Sequence, residues 1–329
     1  MDNATILLYH HVGSETPPST TVSVETFKTH LEYLDKHTTV LPLQTIIEAL
    51  QAGEALPDNA VAITFDDGYR NIYENAFPLL KRYDMPFTVF VNPPMIDTFS
   101  YQMTWEQMRE MQKHGAQFAN HTNEHLHLLD RQKDESHTAW LNRIRQDIVS
   151  AEQLLQDKLG YSLKYLAYPF GEYNRAIQQL VSELGFIGFA QQSGAVASYS
   201  DFTALPRFPA AGIYANLNTL KNKIHSLAMP VSQLPFDDPQ RQSTESPGSF
   251  SYLLSQTEDV RIKQTGCYFS GDRLDVTVND NKVTVQFDSP LPVGRSRVNC
   301  TAPSVSQAGR FYWFSQPFFV PRSDGSFPD

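Results

Sequence analysis

Apolar residues in the first two thirds of the chain follow two alternating patterns. Short apolar runs such as TILLYH and VAITF are typical of buried strands. Between them lie longer segments in which Leu, Ile and aromatic residues recur at helical spacing, and four of these end at Gly, as helices often do. The pattern predicts strands at 5–10, 61–65, 86–91, 116–120, 165–170, 186–190 and 203–208, and helices at 24–37, 43–53, 71–84, 104–115, 139–160 and 174–185.

This alternation predicts an α/β fold with a parallel sheet, because parallel strands need a long connection that is usually a helix. We expect a distorted (β/α) barrel of about seven strands. On such a barrel, residues just beyond the carboxyl ends of the strands line the active face.

The last third of the chain has a different pattern. Residues 233–248, QLPFDDPQRQSTESPG, lack periodicity and predict a linker or surface loop. Beyond it, RLDVTVNDNKVTVQF at 273–287 predicts a strand–turn–strand unit, and GRFYWFSQPFFVP at 309–321 predicts an aromatic-rich strand. We therefore expect an α/β domain at 1–232 and a small β-sandwich at 249–329.

Charge and composition exclude some classes of function. The net charge of −10 argues against a nucleic-acid partner, since phosphate binding needs a basic surface. No apolar run is long enough for a membrane span, and the start MDNATILLYH predicts no signal peptide. Cys267 and Cys300 are compatible either with a disulfide formed in an oxidising compartment or with two buried thiols.

Two adjacent aspartates follow a predicted strand in VAITFDDGY at 61–69. Neighbouring like charges resist burial because each carboxylate raises the pKa of the other. The pair therefore either lies in water as a cap for the helix predicted at 71–84, or is held by a positive group. At a strand end, Asp66 and Asp67 point to opposite sides, so each can serve a different partner.

A second polar set follows the predicted strand at 116–120. In HTNEH, His121 and His125 are four residues apart, and on a helical turn both imidazoles would share one face, with His127 off that face. Histidines are more often structural, but two at this spacing on the same rim as paired aspartates favour a metal site. Asp67, His121 and His125 would suit zinc or a similar divalent ion.

Three motifs are similar to those of a known family. TFDDG at 64–68, HTNEH at 121–125 and YPFG at 168–171 resemble the motifs of the NodB-homology polysaccharide deacetylases, the family 4 carbohydrate esterases. The resemblance spans about residues 5–210 and leaves the C-terminal segment uncovered. It implies that the region 1–232 is a deacetylase catalytic domain holding one divalent metal, Zn²⁺ first, with Ni²⁺, Co²⁺ or Mn²⁺ as alternatives.

Carried over by position, the resemblance also implies roles for the other motif residues. Asp66 would be the general base, and Asp67 with the two histidines of HTNEH would be the metal ligands. The backbone N–H of Phe170 would help to stabilise an oxyanion. Tyr168 and Pro169 would belong to the substrate-binding wall.

Two departures from the family pattern concern the partners of the base and the acid. The third motif usually carries an arginine that orients the base, and here that position is Ala167. Arg207, in LPRF, either supplies the missing guanidinium or is a surface residue. The closing Leu-x-His motif that gives the general acid is not found before the predicted linker, and we expect His225 to be structural.

The first predicted strand offers a candidate acid instead. ILLYHHV at 6–12 resembles the circularly permuted poly-N-acetylglucosamine deacetylases, in which that motif lies at the N-terminus. By this resemblance His10 is the acid, and its neighbour His11 is the second choice.

The resemblance implies a metal-dependent N-deacetylase that acts outside the cytoplasm on an N-acetylated polysaccharide or oligosaccharide. Two alternatives remain at this point: an O-acetyl esterase of the xylan type, and a non-catalytic glycan-binding protein on a decayed esterase scaffold. The aromatic residues Tyr312, Trp313 and Phe314 either bind carbohydrate or pack in the core of the C-terminal domain.

Overall fold

The structure is a computed structural model that describes residues 1–329. Seven strands form a parallel sheet in the spatial order β10-β1-β5-β6-β7-β8-β9, with β4 beside β5. This confirms the predicted distorted barrel. The strands of this part are β1 (Ala4–Tyr9), β2 (His11–Val12), β3 (Thr21–Val22), β4 (Thr39–Val40), β5 (Ala60–Phe65), β6 (Phe87–Val91), β7 (Ala116–Asn120), β8 (Tyr165–Ala167), β9 (Ile187–Phe189) and β10 (Phe208–Pro209).

The last predicted strand of the barrel is much shorter than expected. Of the range 203–208, only Phe208 is in a strand, because Thr203 and Ala204 belong to a turn in which both backbone N–H groups donate to Asp201. β9 and β10 do not pair directly. A single parallel bridge between Phe189 and Leu205 narrows the gap between these two edges.

The helices lie where the periodic pattern predicts them, with two differences. The segment predicted as a helix at 71–84 begins as a π-helical turn, Ile72–Ala76, and α7 was not predicted although its apolar residues have helical spacing. None of the helices is both long and apolar enough to cross a membrane. The helices are α1 (Val24–His37), α2 (Leu43–Ala52), α3 (Phe77–Arg82), α4 (Trp105–Gln112), α5 (His137–Leu159), α6 (Arg175–Glu183) and α7 (Leu217–Ile224).

Both faces of the parallel sheet are buried, which explains why its strands are continuous apolar runs. In β5, Val61, Ile63 and Phe65 join a cluster with residues of α1, α3 and α4. Ala60 and Ala62 face the opposite side, where they pack with α2. Asp66 lies an even number of residues after Ala60 and Ala62, so its side chain points to the same face of the sheet as these two small residues.

The C-terminal part is a β-sandwich, as the sequence predicts. Its two sheets have the orders β11-β19-β18-β14-β15 and β12-β13-β17-β16, and one apolar cluster lies between them. The strands are β11 (Leu227–Ala228), β12 (Val231–Gln233), β13 (Phe250–Leu254), β14 (Gly266–Phe269), β15 (Asp272–Leu274), β16 (Val276–Asn279), β17 (Lys282–Val285), β18 (Gly294–Pro303) and β19 (Phe311–Val320).

Cys267 and Cys300 form a disulfide between the neighbouring strands β14 and β18. Strands β11 and β12 precede the predicted linker, yet they pair with β19 and β13 of the sandwich. The segment 233–248 also lies against the barrel, where Gln240 accepts a hydrogen bond from Asn174 at 2.8 Å. The division into domains at residue 232 stays a prediction.

Candidate active site

The polar residues singled out in the sequence converge at the carboxyl edge of the barrel. His10 follows β1, Asp66 and Asp67 follow β5, and His121 follows β7. Arg207 lies immediately before β10. Strand β10 pairs with one edge of β1, and β5 pairs with the other edge. Strand order therefore brings together residues that are up to about 200 positions apart in the chain.

Asp67, His121 and His125 form a cluster suited to one metal ion. Asp67 Oδ1 lies 3.2 Å from His121 Nε2 and 3.2 Å from His125 Nε2, and the three ligand atoms all lie within 4.8 Å of one another. His121 is fully buried, whereas His125 is 24% exposed. The cluster is therefore closed on the protein side and reachable from solvent.

The hydrogen bonding of His121 fits a cation. Its Nδ1 donates to the Ala167 carbonyl at 2.8 Å, which leaves the Nε2 lone pair of the neutral ring facing Asp67 Oδ1. Both facing atoms are buried and have no hydrogen-bond partner. Burial lowers the pKa of His121, but the carboxylates of Asp66 and Asp67 raise it by more. Without a cation, the cluster therefore favours protonation of His121, and a divalent ion fits the same position.

The prediction that His121 and His125 lie on a helical turn is wrong. Residues 121–125 form a loop in which Thr122 and His125 have φ values of 65° and 52°. Asp67 also has a left-handed backbone, with φ 73°, followed by Gly68 with φ 71°. A Cβ at Gly68 would lie 2.9 Å from Val91 Cγ1, so the turn that aims Asp67 at the histidines needs glycine there.

Asp66 is held by Arg207 and is completely buried. Arg207 donates from Nη1 to Oδ1 at 2.7 Å and from Nη2 to Oδ2 at 2.8 Å, while its Nε donates to the Ala190 carbonyl at 2.9 Å. Burial raises the pKa of Asp66, but the Arg207 guanidinium, together with His121 and His10, holds that pKa below its usual range. Arg207 is thus not a surface residue. We call Asp66, Arg207 and Thr64, which accepts from Nη1 at 3.3 Å, the floor of the site.

The two neighbouring histidines after β1 occupy different environments. Burial lowers the pKa of His10, while the charges of Asp67 and Asp66 oppose that effect. His11 stacks on Tyr69 at 3.7 Å and its Nδ1 accepts from Asn71 at 3.0 Å. Burial lowers the pKa of His11 to about 4. Only His10 is left without a side-chain partner.

Phe170 forms one side of the site, which we call the wall together with His127, Glu172 and Arg295. The Phe170 ring lies 4.7 Å from the His125 ring and stacks on His127 at 3.8 Å, and its backbone has a left-handed φ of 58°. The Arg295 guanidinium, which belongs to β18 of the sandwich, lies 5.2 Å from the same ring.

A buried carboxylate joins the parts of the wall. Glu172 accepts from His127 Nδ1 at 2.7 Å and from Arg295 Nη1 at 3.0 Å. Burial lowers the pKa of His127, but Glu172, with smaller contributions from Asp329 and Asp130, raises it above its usual value. The C-terminal domain therefore contributes a charged residue to the side of the site.

Tyr168 and Pro169 do not lie where the sequence places them. The Tyr168 side chain is completely buried, stacks on Tyr173 and donates from its hydroxyl to the Thr203 carbonyl at 2.6 Å. Because it points into the core below the rim, the Tyr168 side chain is not placed to contact a substrate, contrary to the expectation. Pro169 is also buried and presents no side-chain surface to a substrate.

Some residues of the site and some structural roles were not identified from the sequence. Glu172 directly follows YPFG, so its position next to a motif is a signal that could have found it. Arg295 is 123 residues away from Glu172 and carries no local signal.

His225 is structural as expected, because its ring bonds to Tyr33 at 2.8 Å and Asn59 at 2.8 Å, away from the rim.

Comparison with known proteins gives concordant results. The family model described as polysaccharide deacetylase matches residues 53–188. The Bacillus subtilis protein YxkH is 30% identical over 207 residues, which cover 61% of this chain and 69% of that protein. A Staphylococcus aureus protein named poly-β-1,6-N-acetyl-D-glucosamine N-deacetylase is 28% identical over 207 residues, covering 61% of this chain and 71% of its own length.

A solved structure has the same fold. The Streptococcus pyogenes deacetylase PplD matches with a TM-score of 0.60 at 23% identity, over 68% of this chain and 98% of that chain. The matched family model runs from before β5 into β9, and it includes the cluster of Asp67, His121 and His125. This chain belongs to the polysaccharide deacetylase family.

Proposed function

We propose that this chain is a metal-dependent N-deacetylase, which hydrolyses the acetamido groups of an N-acetylglucosamine-containing polysaccharide to free amine and acetate. The observation that carries the proposal is the division of labour between two adjacent acids. Asp67 faces His121 and His125, whereas Asp66 forms an ion pair with Arg207. An acid that merely capped a helix would need neither arrangement.

Asp67, His121 and His125 are the proposed metal ligands, and Zn²⁺ is the first candidate because two imidazoles and one carboxylate suit it. A divalent cation held there would supply Lewis-acid chemistry, lowering the pKa of a water from ~15.7 towards ~7 and polarising the acetyl carbonyl. The Ala167 carbonyl fixes the His121 ring so that Nε2 can coordinate.

Asp66 accepts the proton of the attacking water as general base. Arg207 fixes the plane of this carboxylate by two hydrogen bonds and keeps it ionised, and each carboxylate oxygen retains a second lone pair for the water proton. The Phe170 backbone N–H donates to the oxyanion, a contact typically worth about 3 kcal/mol.

His10 delivers a proton to the leaving amine. Its position beside Asp66 and Asp67 supports this assignment, and His11 is a poor alternative because it is stacked on Tyr69 and bonded to Asn71. Burial makes the His10 imidazolium a stronger acid but disfavours the protonated form, which the charges of Asp67 and Asp66 favour.

We also propose that residues 1–232 form the catalytic domain, that 233–248 join it to the sandwich at 249–329, and that the protein acts outside the cytoplasm. The Cys267–Cys300 disulfide supports the last point, because such bonds persist in oxidising compartments.

The test measures the stoichiometry of the products that are released from a defined polymer. Metal-loaded protein is incubated with poly-N-acetylglucosamine, and acetate and free amine are both measured. We expect equal amounts of the two products, loss of activity with a chelator, and recovery when Zn²⁺ is added. Acetate from acetylated xylan but none from the amide polymer would make the chain an O-acetyl esterase. No acetate from either polymer by the metal-loaded chain would leave a glycan-binding protein.

A further inference from the structure

A second cavity lies between the barrel and the sandwich and was not used in the proposed reaction. It is a groove of about 750 Å³, lined by Tyr214 and Lys223 from the barrel and by Tyr268, Arg297 and Trp313 from the sandwich. Tyr214 follows β10 along the chain, so the groove opens beside the carboxyl edge of the barrel. We call this cavity the interdomain groove.

The groove adjoins the wall of the active site, because Arg295 belongs to both. A smaller cavity that shares Arg295, Ser296 and Arg297 with the groove is lined by Phe170. The Phe170 ring lies 4.7 Å from the ring of His125, a proposed metal ligand. A polymer bound at the metal cluster can therefore extend past Phe170 into the groove.

The charges of the groove all have one sign, although the whole chain carries −10. No acidic residue lines it, and three cations do: Lys223, Arg295 and Arg297. Lys223 Nζ lies 4.6 Å and the Arg297 guanidinium 5.9 Å from the centre of the Tyr214 ring. No carboxylate lies within 4.0 Å of either Lys223 or Arg297. Burial and the nearby Arg297 lower the pKa of Lys223 to about 8.

Cations held together without a counter-ion destabilise one another, and an anion bound between them removes that repulsion. Arg295 is the exception, because Glu172 neutralises it. The free positive charge of the groove is therefore that of Lys223 and Arg297, which come from different domains.

Two buried polar atoms beside the groove also lack partners. Ser296 Oγ and Gln192 Oε1 are buried without a hydrogen bond, and both residues line the smaller cavity next to Phe170. A hydroxyl that can donate and an amide oxygen that can accept fit the hydroxyl groups of a sugar. Tyr268, which is 39% exposed, and Trp313 offer aromatic faces at the other end.

We propose that the interdomain groove binds the sugar residues that flank the cleaved unit, and that it selects glycans bearing a carboxylate or phosphate group. This inference rests on the proposed function and narrows its substrate class to anionic N-acetylated polymers. Lys223 and Arg297 bind the anionic group, Ser296 and Gln192 bind sugar hydroxyls, and the aromatic rings pack on the sugar faces.

The test measures binding and turnover separately on the metal-loaded full-length chain. Surface plasmon resonance gives Kd for three immobilised hexasaccharides: a neutral N-acetylglucosamine oligomer, the same oligomer carrying phosphate, and an alternating N-acetylglucosamine–glucuronate oligomer. Acetate release from each tests the proposed function independently. The double variant Lys223→Gln, Arg297→Gln removes both charges, Arg297→Lys keeps its charge, and the exposed Lys133→Gln is the control.

We expect at least one anionic hexasaccharide to bind roughly tenfold more tightly than the neutral one, with affinity falling as salt rises. Comparison of the two anionic arms shows whether carboxylate or phosphate is preferred. The double variant should lose this preference, while Arg297→Lys and Lys133→Gln retain it. Equal affinity of the wild-type protein for all three, or an unchanged preference in the double variant, overturns the proposal. Absence of acetate release with the preference intact would reject only the deacetylase function.

Discussion

The floor and the wall of the active site are held in place by different physical means. The floor is built on an ion pair between Asp66 and Arg207, in which both side chains are completely buried and both residues belong to the barrel. The wall depends on Glu172, which joins His127 of the barrel to Arg295 of the sandwich, and Arg295 is 34% exposed.

The difference matters because a buried ion pair has no substitute partner when one member is lost. Removal of one member leaves an uncompensated charge in a medium where water cannot reach it. The wall has solvent on one side, and its geometry depends on how the two domains meet. We therefore expect substitutions in the floor to cause large losses of stability and activity, and substitutions in the wall to cause smaller changes in activity.

The largest effect should come from Arg207→Met. With the guanidinium gone, Asp66 loses the largest of the influences that oppose burial, so its pKa rises and its orientation is lost. We expect acetate release to fall roughly 10³-fold or more, and the free energy of unfolding to fall by roughly 3–5 kcal/mol at pH 7, as measured by urea titration. The double variant Asp66→Asn, Arg207→Met should recover stability without recovering activity.

The stability loss of Arg207→Met should depend on pH. In the wild-type protein the pKa of Asp66 is depressed, so its contribution to stability is present above the unfolded value near ~3.9 and is lost as pH falls through the folded value. In the variant the folded pKa is raised, and protonation at acid pH relieves the buried charge. The stability difference should therefore shrink between pH 7 and pH 4, and a constant difference would contradict the assigned role of the pair.

His10→Ala tests the proposed general acid. A general acid matters for an amine leaving group but hardly for an activated aryl alcohol, so we expect acetate release from an N-acetylglucosamine oligomer to fall roughly 10²-fold and aryl acetate hydrolysis to change little. Steady-state rates on both substrates check this. Equal losses on the two would remove His10 from the acid role.

Glu172→Gln should weaken the wall and spare the floor. Loss of the charge that His127 and Arg295 share should cost about 1–3 kcal/mol of stability and about tenfold in kcat, with metal content unchanged. The matched control is Asp237→Asn, which removes an exposed ion pair with Arg175 and should cost less than about 1 kcal/mol. Loss of metal in Glu172→Gln would mean that the wall supports the ligands directly.

The smallest effect concerns the groove that continues from the wall. Lys223, which is faced by the Tyr214 ring and the Arg297 guanidinium, has a pKa lowered to about 8 by burial and by Arg297. Anionic oligosaccharides should therefore bind about two- to fivefold more weakly at pH 9 than at pH 7, as Lys223 loses its proton. A flat pH profile in the wild-type protein, or the same slope in Lys223→Gln, would argue against contact with the anion.

The sequence predicts well what depends on short stretches of chain. The strands of the barrel are apolar runs that are buried on both faces. The rim residues Asp66, Asp67 and His121 directly follow these strands. A motif at the end of an apolar run therefore indicates which edge of the sheet carries the site. The helical turn assigned to His121–His125 is wrong because His125 adopts a left-handed backbone, which spacing alone does not reveal.

Features that join distant parts of the chain are harder to predict. Arg207 reaches Asp66 across 141 positions, and the sequence could only propose it as one of two alternatives. Arg295 lies beside Phe170 because two domains pack together, and no local pattern reports that contact. The burial of Tyr168 depends on the path of residues 203–204, which form a turn where a strand was expected.

The most direct test of the account compares the metal content of two neighbouring variants. Asp66→Asn and Asp67→Asn are purified as full-length chains, and bound Zn²⁺ is measured together with acetate release. We expect Asp67→Asn to lose the metal, whereas Asp66→Asn keeps about one ion per chain and is inactive. Metal loss in both variants, or normal acetate release by Asp66→Asn, would contradict the division of the pair into base and ligand.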